Sequence, residues 1–370
     1  MKKIVLTGGG TAGHVTPNLA LLPALEKAGW EAEYIGSYDG IEKELVTKKN
    51  VPYHGIATGK FRRYRSLKNL SDPFRVMKGY FEAKKCLRAI APSIVFSKGG
   101  FVSVPVVLAA KSLHIPVISH ESDMTPGLAN RISKSAATKI CCNFPETVQY
   151  LPKDLAVLTG TPIRSELLSG DAKKGLEYCG LDTNSGKKTL LIIGGSTGAQ
   201  HVNDAIITLL PKLLEKYQVI HLCGKGKFDE SLKDTKGYAA FEYINEELPD
   251  VFAAADFVIS RAGANAICEL VALKKPHLLI PLSKLASRGD QVLNARSFEK
   301  QGYSMVLEED EKEETVDGVT KKVSFVHPEK LWNALEELEK NSNTYVEAMA
   351  TSSQNEAIPK IMELIQTYGK

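Results

Sequence analysis

Short apolar runs recur along the chain, separated by longer segments of mixed polarity. They cover 3–7, 32–35, 94–97, 116–119 and 139–142, then 190–193, 219–223, 257–260 and 277–281, and most are built from Ile, Val and Leu. Strands buried on both faces read as continuous apolar runs, and parallel pairing needs a helix-length crossover between them. The pattern predicts an α/β chain with doubly wound parallel sheets. It also repeats in outline. Gly9-Gly10-Thr11-Ala12-Gly13 follows the first run and Gly194-Gly195-Ser196-Thr197-Gly198 follows the run at 190–193, so each half opens a Rossmann-like unit.

Gly160-Thr161-Pro162-Ile163-Arg164 reads as a hinge and puts the boundary at Thr161. The closing segment has helical spacing in Ile358, Ile361, Leu364 and Ile365 and is expected to return to the first domain. The expected division is 1–161 with 346–370, and 162–345. A charged insert over 308–322 lacks apolar periodicity and reads as a solvated loop.

Length agrees with this division, because 370 residues exceed one ordinary core. The amino terminus reaches glycine after too short an apolar run for a signal peptide. The longest apolar stretch, 102–110, contains Pro105 and falls far short of the roughly 20 residues a spanning helix needs. Six cysteines without CxxC spacing suit reduced, buried thiols rather than zinc. Residues 1–163 carry 22 Lys and Arg against 12 Asp and Glu, a net +10, and the remainder a net −6. The first half is therefore suited to an anionic partner.

Three glycine-rich turns fall at strand carboxyl ends, the edge where open α/β sheets bind ligands. Gly8 to His14 lies between a strand and a helix starting near Pro17, where helix N–H groups and dipole favour an anion. It also satisfies GxGxxG, but the second strand ends Tyr34-Ile35-Gly36-Ser37, without the acid that holds a dinucleotide ribose. Lys98-Gly99-Gly100 forms the second turn. The third, Gly194 to Gln200, adds two hydroxyls, and Arg164 can supply a bidentate clamp on phosphate; Ser196 is equally suited to capping its helix.

Ser260-Arg261-Ala262-Gly263-Ala264 is a strand end and helix start. Glu269 lies two turns in, where a ribose diol or a basic side chain would be its partner. Gln291 can read sugar hydroxyls or be plain helix surface. His120-Glu121-Ser122-Asp123 adds an imidazole and two carboxylates, so His14 and His120 are candidate bases, His14 the better placed. No Asp-x-Asp pair occurs, so a metal-bridged diphosphate has no obvious ligands; no metal and no cofactor is expected. The basic, aromatic stretch 60–68 suits anionic lipid headgroups or a solvated face, and no nucleic-acid module accompanies it.

Taken in order, GGGTAGH at 8–14, KGGFVSVP at 98–105, HESD at 120–123, GTPIR at 160–164, GGSTGA at 194–199, SRAGANAICE at 260–269 and DQVLNA at 290–295 resemble the peptidoglycan N-acetylglucosaminyltransferases of the MurG family. The resemblance implies a GT-B fold, two Rossmann-like domains facing across a cleft. It implies inverting transfer of N-acetylglucosamine from UDP-N-acetylglucosamine to the 4-hydroxyl of undecaprenyl-diphospho-N-acetylmuramoyl-pentapeptide, at the cytoplasmic face of the membrane. It also implies site residues: His14 as base, with Thr11, Ala12 and Gly13 lining the sugar and diphosphate site. Arg164 and Ser196 would contact donor phosphates, Ile244 uracil, Ala264, Asn265, Ala266, Ile267, Cys268 and Glu269 diphosphate and ribose, and Gln291 the transferred sugar. Two positions depart from the family pattern: Ala12 replaces a glycine, and Asp123 replaces an asparagine that contacts the donor sugar. The competing readings are a transferase acting on diacylglycerol, a UDP-N-acetylglucosamine 2-epimerase, and a nucleotide-sugar-binding protein without catalysis.

Overall fold

The computed structural model describes residues 2–59, 68–195, 198–316 and 319–370. The chain divides into two compact units, Met1–Arg164 with Ser353–Lys370, and Ser165–Ser352.

The first unit is built on seven parallel strands: β1 (Lys2–Thr7), β2 (Trp30–Ser37), β3 (Tyr53–Ile56), β4 (Ile94–Ser97), β5 (Val117–Glu121), β6 (Lys139–Cys142) and β7 (Ala156–Leu158). Their order is β3-β2-β1-β4-β5-β6-β7, so the winding reverses between β1 and β4. Helices cover both faces. Ile4, Leu6, Phe96 and Ile118 pack with Leu21, Leu25, Ile361 and Ile365 on one side. Val5, Ile35, Val95 and Val117 pack with Ala83, Leu87, Val106 and Ala110 on the other. Alternate residues of one strand thus face two cores, which is why these strands carry no polar alternation.

Ile361 and Ile365 belong to the helix Ala357–Tyr368. The closing segment is two helices rather than one, Ser342–Ala350 and Ala357–Tyr368, and the units divide between them.

The second unit repeats the plan with β8 (Lys188–Ile193), β9 (Tyr217–Leu222), β10 (Tyr238–Phe241), β11 (Phe257–Ser260), β12 (His277–Leu279) and β13 (Met305–Val306), in the order β10-β9-β8-β11-β12-β13. Here the winding reverses between β8 and β11. Leu190, Ile192, Val219, Ile259 and Leu278 pack against helices Gln200–Lys216 and Pro328–Lys340.

The charged insert is not a loop. It forms an antiparallel hairpin of β14 (Asp310–Val316) and β15 (Val319–Phe325). Glu313 pairs with Lys322 and Glu314 with Lys321 across the ladder, and Thr315 and Thr320 hydroxyls meet at 2.9 Å. Opposite charges facing each other stabilise strand pairing without an apolar face, so apolar periodicity does not mark such a hairpin.

Candidate active site

In the first unit the turns after β1 and β4 meet at the reversal point. After β1, a 3₁₀ turn over Ala12–His14 leads into the helix Thr16–Ala20, with Pro17 in its first turn. The Tyr34 hydroxyl donates to the Gly8 carbonyl at 2.8 Å, and Asn18 Nδ2 donates to the Thr7 carbonyl at 3.1 Å. Gly100, at φ +79°, is pressed on this turn: a Cβ there would lie 2.4 Å from the Gly9 carbonyl oxygen and 3.3 Å from His14 Nδ1. The two turns can interlock only with glycine at that position.

His14 is half-buried, with Nδ1 2.9 Å from Thr11 Oγ1. Burial and the Lys98 ammonium outweigh the attraction of Glu42 and lower its pKa to about 4, so its imidazole is neutral near pH 7. Thr11, Ala12 and Gly13 lie partly open on the same turn.

Beneath the turn is a carboxylate that the strand-and-glycine pattern does not reveal. Glu42 is fully buried and accepts from the N–H groups of Gly10 at 3.2 Å and Ser37 at 3.1 Å, and from the Ser37 hydroxyl. The Gly10 N–H is therefore already taken and is not part of an anion cradle.

Lys98 is a second hidden charge, 1% exposed. Its ammonium donates to His120 Nδ1 at 2.8 Å, Ser122 Oγ at 2.6 Å and Thr161 Oγ1 at 2.9 Å. His120 Nε2–H in turn donates to the Gly160 carbonyl at 2.8 Å. Burial, then Lys98, holds His120 well below its ordinary pKa. With both ring nitrogens engaged and no exposure, His120 is a brace between β5 and the turn at Gly160, and the candidate bases narrow to His14. Asp123 is half-buried, its N–H bonded to Glu121 Oε1 at 3.1 Å. Arg164 ends the first of the two chain segments that make up this unit.

In the second unit a cavity of about 390 Å³ opens at the reversal point between β8 and β11. Gly194, Gly195 and Gly198 form one wall, Arg261 and Gly263 another, with Ala266 and Gln291 beside them. Arg261 is immobilised. Its guanidinium donates to the carbonyls of Ile280 and Pro281 at 3.1 and 3.3 Å and pairs with the buried Glu309 at 2.7 Å. Burial alone would raise the Glu309 pKa, but Arg261 and its hydrogen bonds prevail and lower it. Gln291 Oε1 accepts from the Leu282 N–H at 3.0 Å, leaving its amide nitrogen to donate.

The helix Ala264–Ala272 begins at Gly263 without a side-chain cap, so the Ala264 and Ala266 N–H groups have no acceptor within the helix. Asn265 and Glu269 are partly open on it. Ile267 and Cys268 are fully buried, and the Ile267 N–H already bonds the Gly263 carbonyl at 3.0 Å, so their side chains pack the core rather than face a ligand. Ile244 is buried after β10, two strands from β8 in the sheet order, and does not line the cavity. Ser196 lies outside the described residues, as do residues 60–67 of the basic stretch.

Residues 4–142 match the glycosyltransferase family 28 N-terminal domain and residues 189–365 the glycosyltransferase family 28 C-terminal domain. A Lachnospira eligens protein named UDP-N-acetylglucosamine–N-acetylmuramyl-(pentapeptide) pyrophosphoryl-undecaprenol N-acetylglucosamine transferase is 60% identical over 370 residues, all of both chains. A Lachnoclostridium phytofermentans protein of the same name is 60% identical over 366 residues, 99% of each chain. The crystal structure of Acinetobacter baumannii MurG matches with a TM-score of 0.73 at 24% identity, over 99% of this chain and 100% of that one, a likeness of fold.

Proposed function

We propose that this chain, which belongs to glycosyltransferase family 28, transfers N-acetylglucosamine from UDP-N-acetylglucosamine to the 4-hydroxyl of undecaprenyl-diphospho-N-acetylmuramoyl-pentapeptide, with inversion and release of UDP. The observation that carries this reading is the 60% identity, end to end, with proteins named for that transfer. The geometry supplies the chemistry.

His14 is the base. In the tautomer whose Nδ1–H donates to Thr11 Oγ1, Nε2 carries the lone pair that accepts the proton of the attacking hydroxyl. Its neutrality at pH 7 follows from the burial and the Lys98 charge described above. Thr11, Ala12 and Gly13 line the path of the sugar and diphosphate, and Asp123 is assigned to a sugar hydroxyl.

The second unit holds the donor. The first-turn N–H groups at Ala264, Asn265 and Ala266 meet the diphosphate, where the helix dipole stabilises the charge that builds on departing UDP. Arg164 and Ser196 are assigned to the same phosphates, Glu269 to the ribose, the Ile244 backbone to uracil and Gln291 Nε2 to the transferred sugar. Ile267 and Cys268 fix the helix that carries these groups.

The acceptor is lipid-linked, and the first unit carries a surface suited to its membrane. No described helix is long and apolar enough to cross a bilayer. On the helix Lys68–Ile90, however, Phe74, Met77 and Phe81 are 70%, 53% and 63% exposed. Their spacing puts them on neighbouring turns, with Arg75 and Lys78 among them in sequence and Lys84 and Lys85 following. Apolar side chains among cations suit peripheral docking on an anionic leaflet, here the cytoplasmic face.

The test is product formation. Purified protein with UDP-N-acetylglucosamine and a soluble muramoyl-pentapeptide diphospholipid is expected to release UDP and form the disaccharide lipid. Epimerised donor, or bound donor without product, would replace this reading with one of its competitors.

A further inference from the structure

A second cavity, about 520 Å³, lies within the first unit beside β5. It is distinct from the His14 turn. Its lining includes Ser119, Glu121, Asn130, Arg131, Lys134 and Tyr150. Ser119 and Glu121 are two apart on β5 and so project from the same face of the sheet.

Its polar groups are unusually specific. Ser119 is 2% exposed and its hydroxyl has no hydrogen-bond partner. Asn130 Nδ2 donates to Glu121 Oε2 at 2.8 Å and to the His120 carbonyl at 3.3 Å, which fixes the amide and leaves its buried Oδ1 as an acceptor without a donor. Glu121 is held by the N–H groups of Asp123 and Gly127 as well as by Asn130. Arg131 and Lys134 bring two cations to the lining.

Such a wall discriminates between ligands. A phosphate would take the Ser119 hydroxyl and the two cations, but it has no N–H for Asn130 Oδ1 and would face the Glu121 carboxyl. A peptide matches every group: its N–H meets Asn130 Oδ1, its carbonyl takes the Ser119 hydroxyl, and a carboxylate lies on Arg131 and Lys134.

The cavity is also well placed relative to the base. The Lys98-Gly99-Gly100 turn separates them. A Cβ on Gly100 would lie 3.3 Å from His14 Nδ1, and a Cβ on Gly99 would lie 2.9 Å from Asn130 Oδ1. On a muramoyl ring the peptide hangs from the lactyl ether at O3, the neighbour of the attacking O4. A hydroxyl held at His14 therefore sends the peptide off close to this turn.

Resting on the transfer reading above, we propose that this cavity receives the peptide stem of the acceptor. A backbone amide is clasped between Ser119 Oγ and Asn130 Oδ1, and a peptide carboxylate pairs with Arg131 and Lys134.

The test uses the full-length protein and two water-soluble acceptors with short lipid chains, one bearing the pentapeptide and one ending at an amidated lactyl group. In the Arg131→Ala, Lys134→Ala double variant, KM for the pentapeptide acceptor rises about 10-fold while kcat and the KM for UDP-N-acetylglucosamine stay unchanged. KM for the peptide-free acceptor does not move. Ser119→Val, which fills the cavity with an apolar group, gives the same selective rise. An equal rise on both acceptors would put the cations on the diphosphate or elsewhere and overturn the assignment, as would no change on either. If the wild-type protein converts neither acceptor, the transfer reading itself fails and takes the subsite with it. If it converts both and the variants do not separate them, the subsite alone falls.

Discussion

Gly100 lies against His14 so closely that a Cβ on it would stand 3.3 Å from Nδ1 and collide with the Gly9 carbonyl oxygen at 2.4 Å. The imidazole is thus positioned by a neighbouring turn as much as by its own. Gly100→Ala must adopt φ near +79° and push the β1 turn aside. The left-handed conformation alone costs about 1–2 kcal/mol. We expect a lower melting temperature and a loss of kcat larger than the stability change explains, read by calorimetry and by turnover well below the melting point. A variant with wild-type kcat would mean that the turn does not set the base.

The histidines make stability depend on pH in a defined direction. His14, His221 and His277 are lowered to about 4, chiefly by burial, and His120 well below its ordinary value of 6.5. Between pH 6.5 and 4 the unfolded chain binds protons that the fold refuses, so stability present above pH 6.5 is lost on acidification. Glu121, raised to about 7 chiefly by burial, works the other way, but it is one group against four. Melting temperature should rise slightly from pH 8 to 7, where Glu121 takes up its proton in the fold, and fall from 6.5 toward 4.5 as the histidines of the unfolded chain charge. For the same reason the acid limb of kcat/KM should lie near pH 4; a limb near 6.5 would show that the base is not the shielded His14.

Much of this architecture was legible in the chain, and each omission has a physical cause. Nine apolar runs correspond to strands with two buried faces. The four strands of the two parallel sheets that the pattern missed, β3, β7, β10 and β13, are the four edges of those sheets. An edge strand is half solvated and short, as in Tyr53-His54-Gly55-Ile56, and its apolar run is diluted. The β14–β15 hairpin was missed because it pairs charges, although the Asp317-Gly318 dipeptide is a hairpin signal. The glycine turns were legible because a positive φ and close approach select one residue type. Glu42, Lys98 and the Arg261–Glu309 pair were not, since a buried charge is defined by partners from distant segments. The lysine closing the run at 94–97 was visible, but its partners at 120, 122 and 161 were not.

Membrane docking has its own signature. Phe74→Ser with Phe81→Ser should reduce partitioning onto anionic vesicles at any salt concentration, since it removes apolar insertion. Neutralising Arg62, Arg63 and Arg65 should weaken partitioning only in low salt, because that attraction is screened. Sedimentation with vesicles of anionic and of zwitterionic lipid separates the two effects. Unchanged partitioning in both variants would make this a solvated face.

The central claim is a division of labour, with the proton removed at His14 in one unit and the nucleotide held by the other. The most direct measurement is His14→Ala, with turnover and UDP affinity determined on the same protein. The account predicts kcat lower by about 10²-fold or more with the UDP dissociation constant nearly unchanged. A normal rate, or an equal loss of UDP affinity, would contradict it.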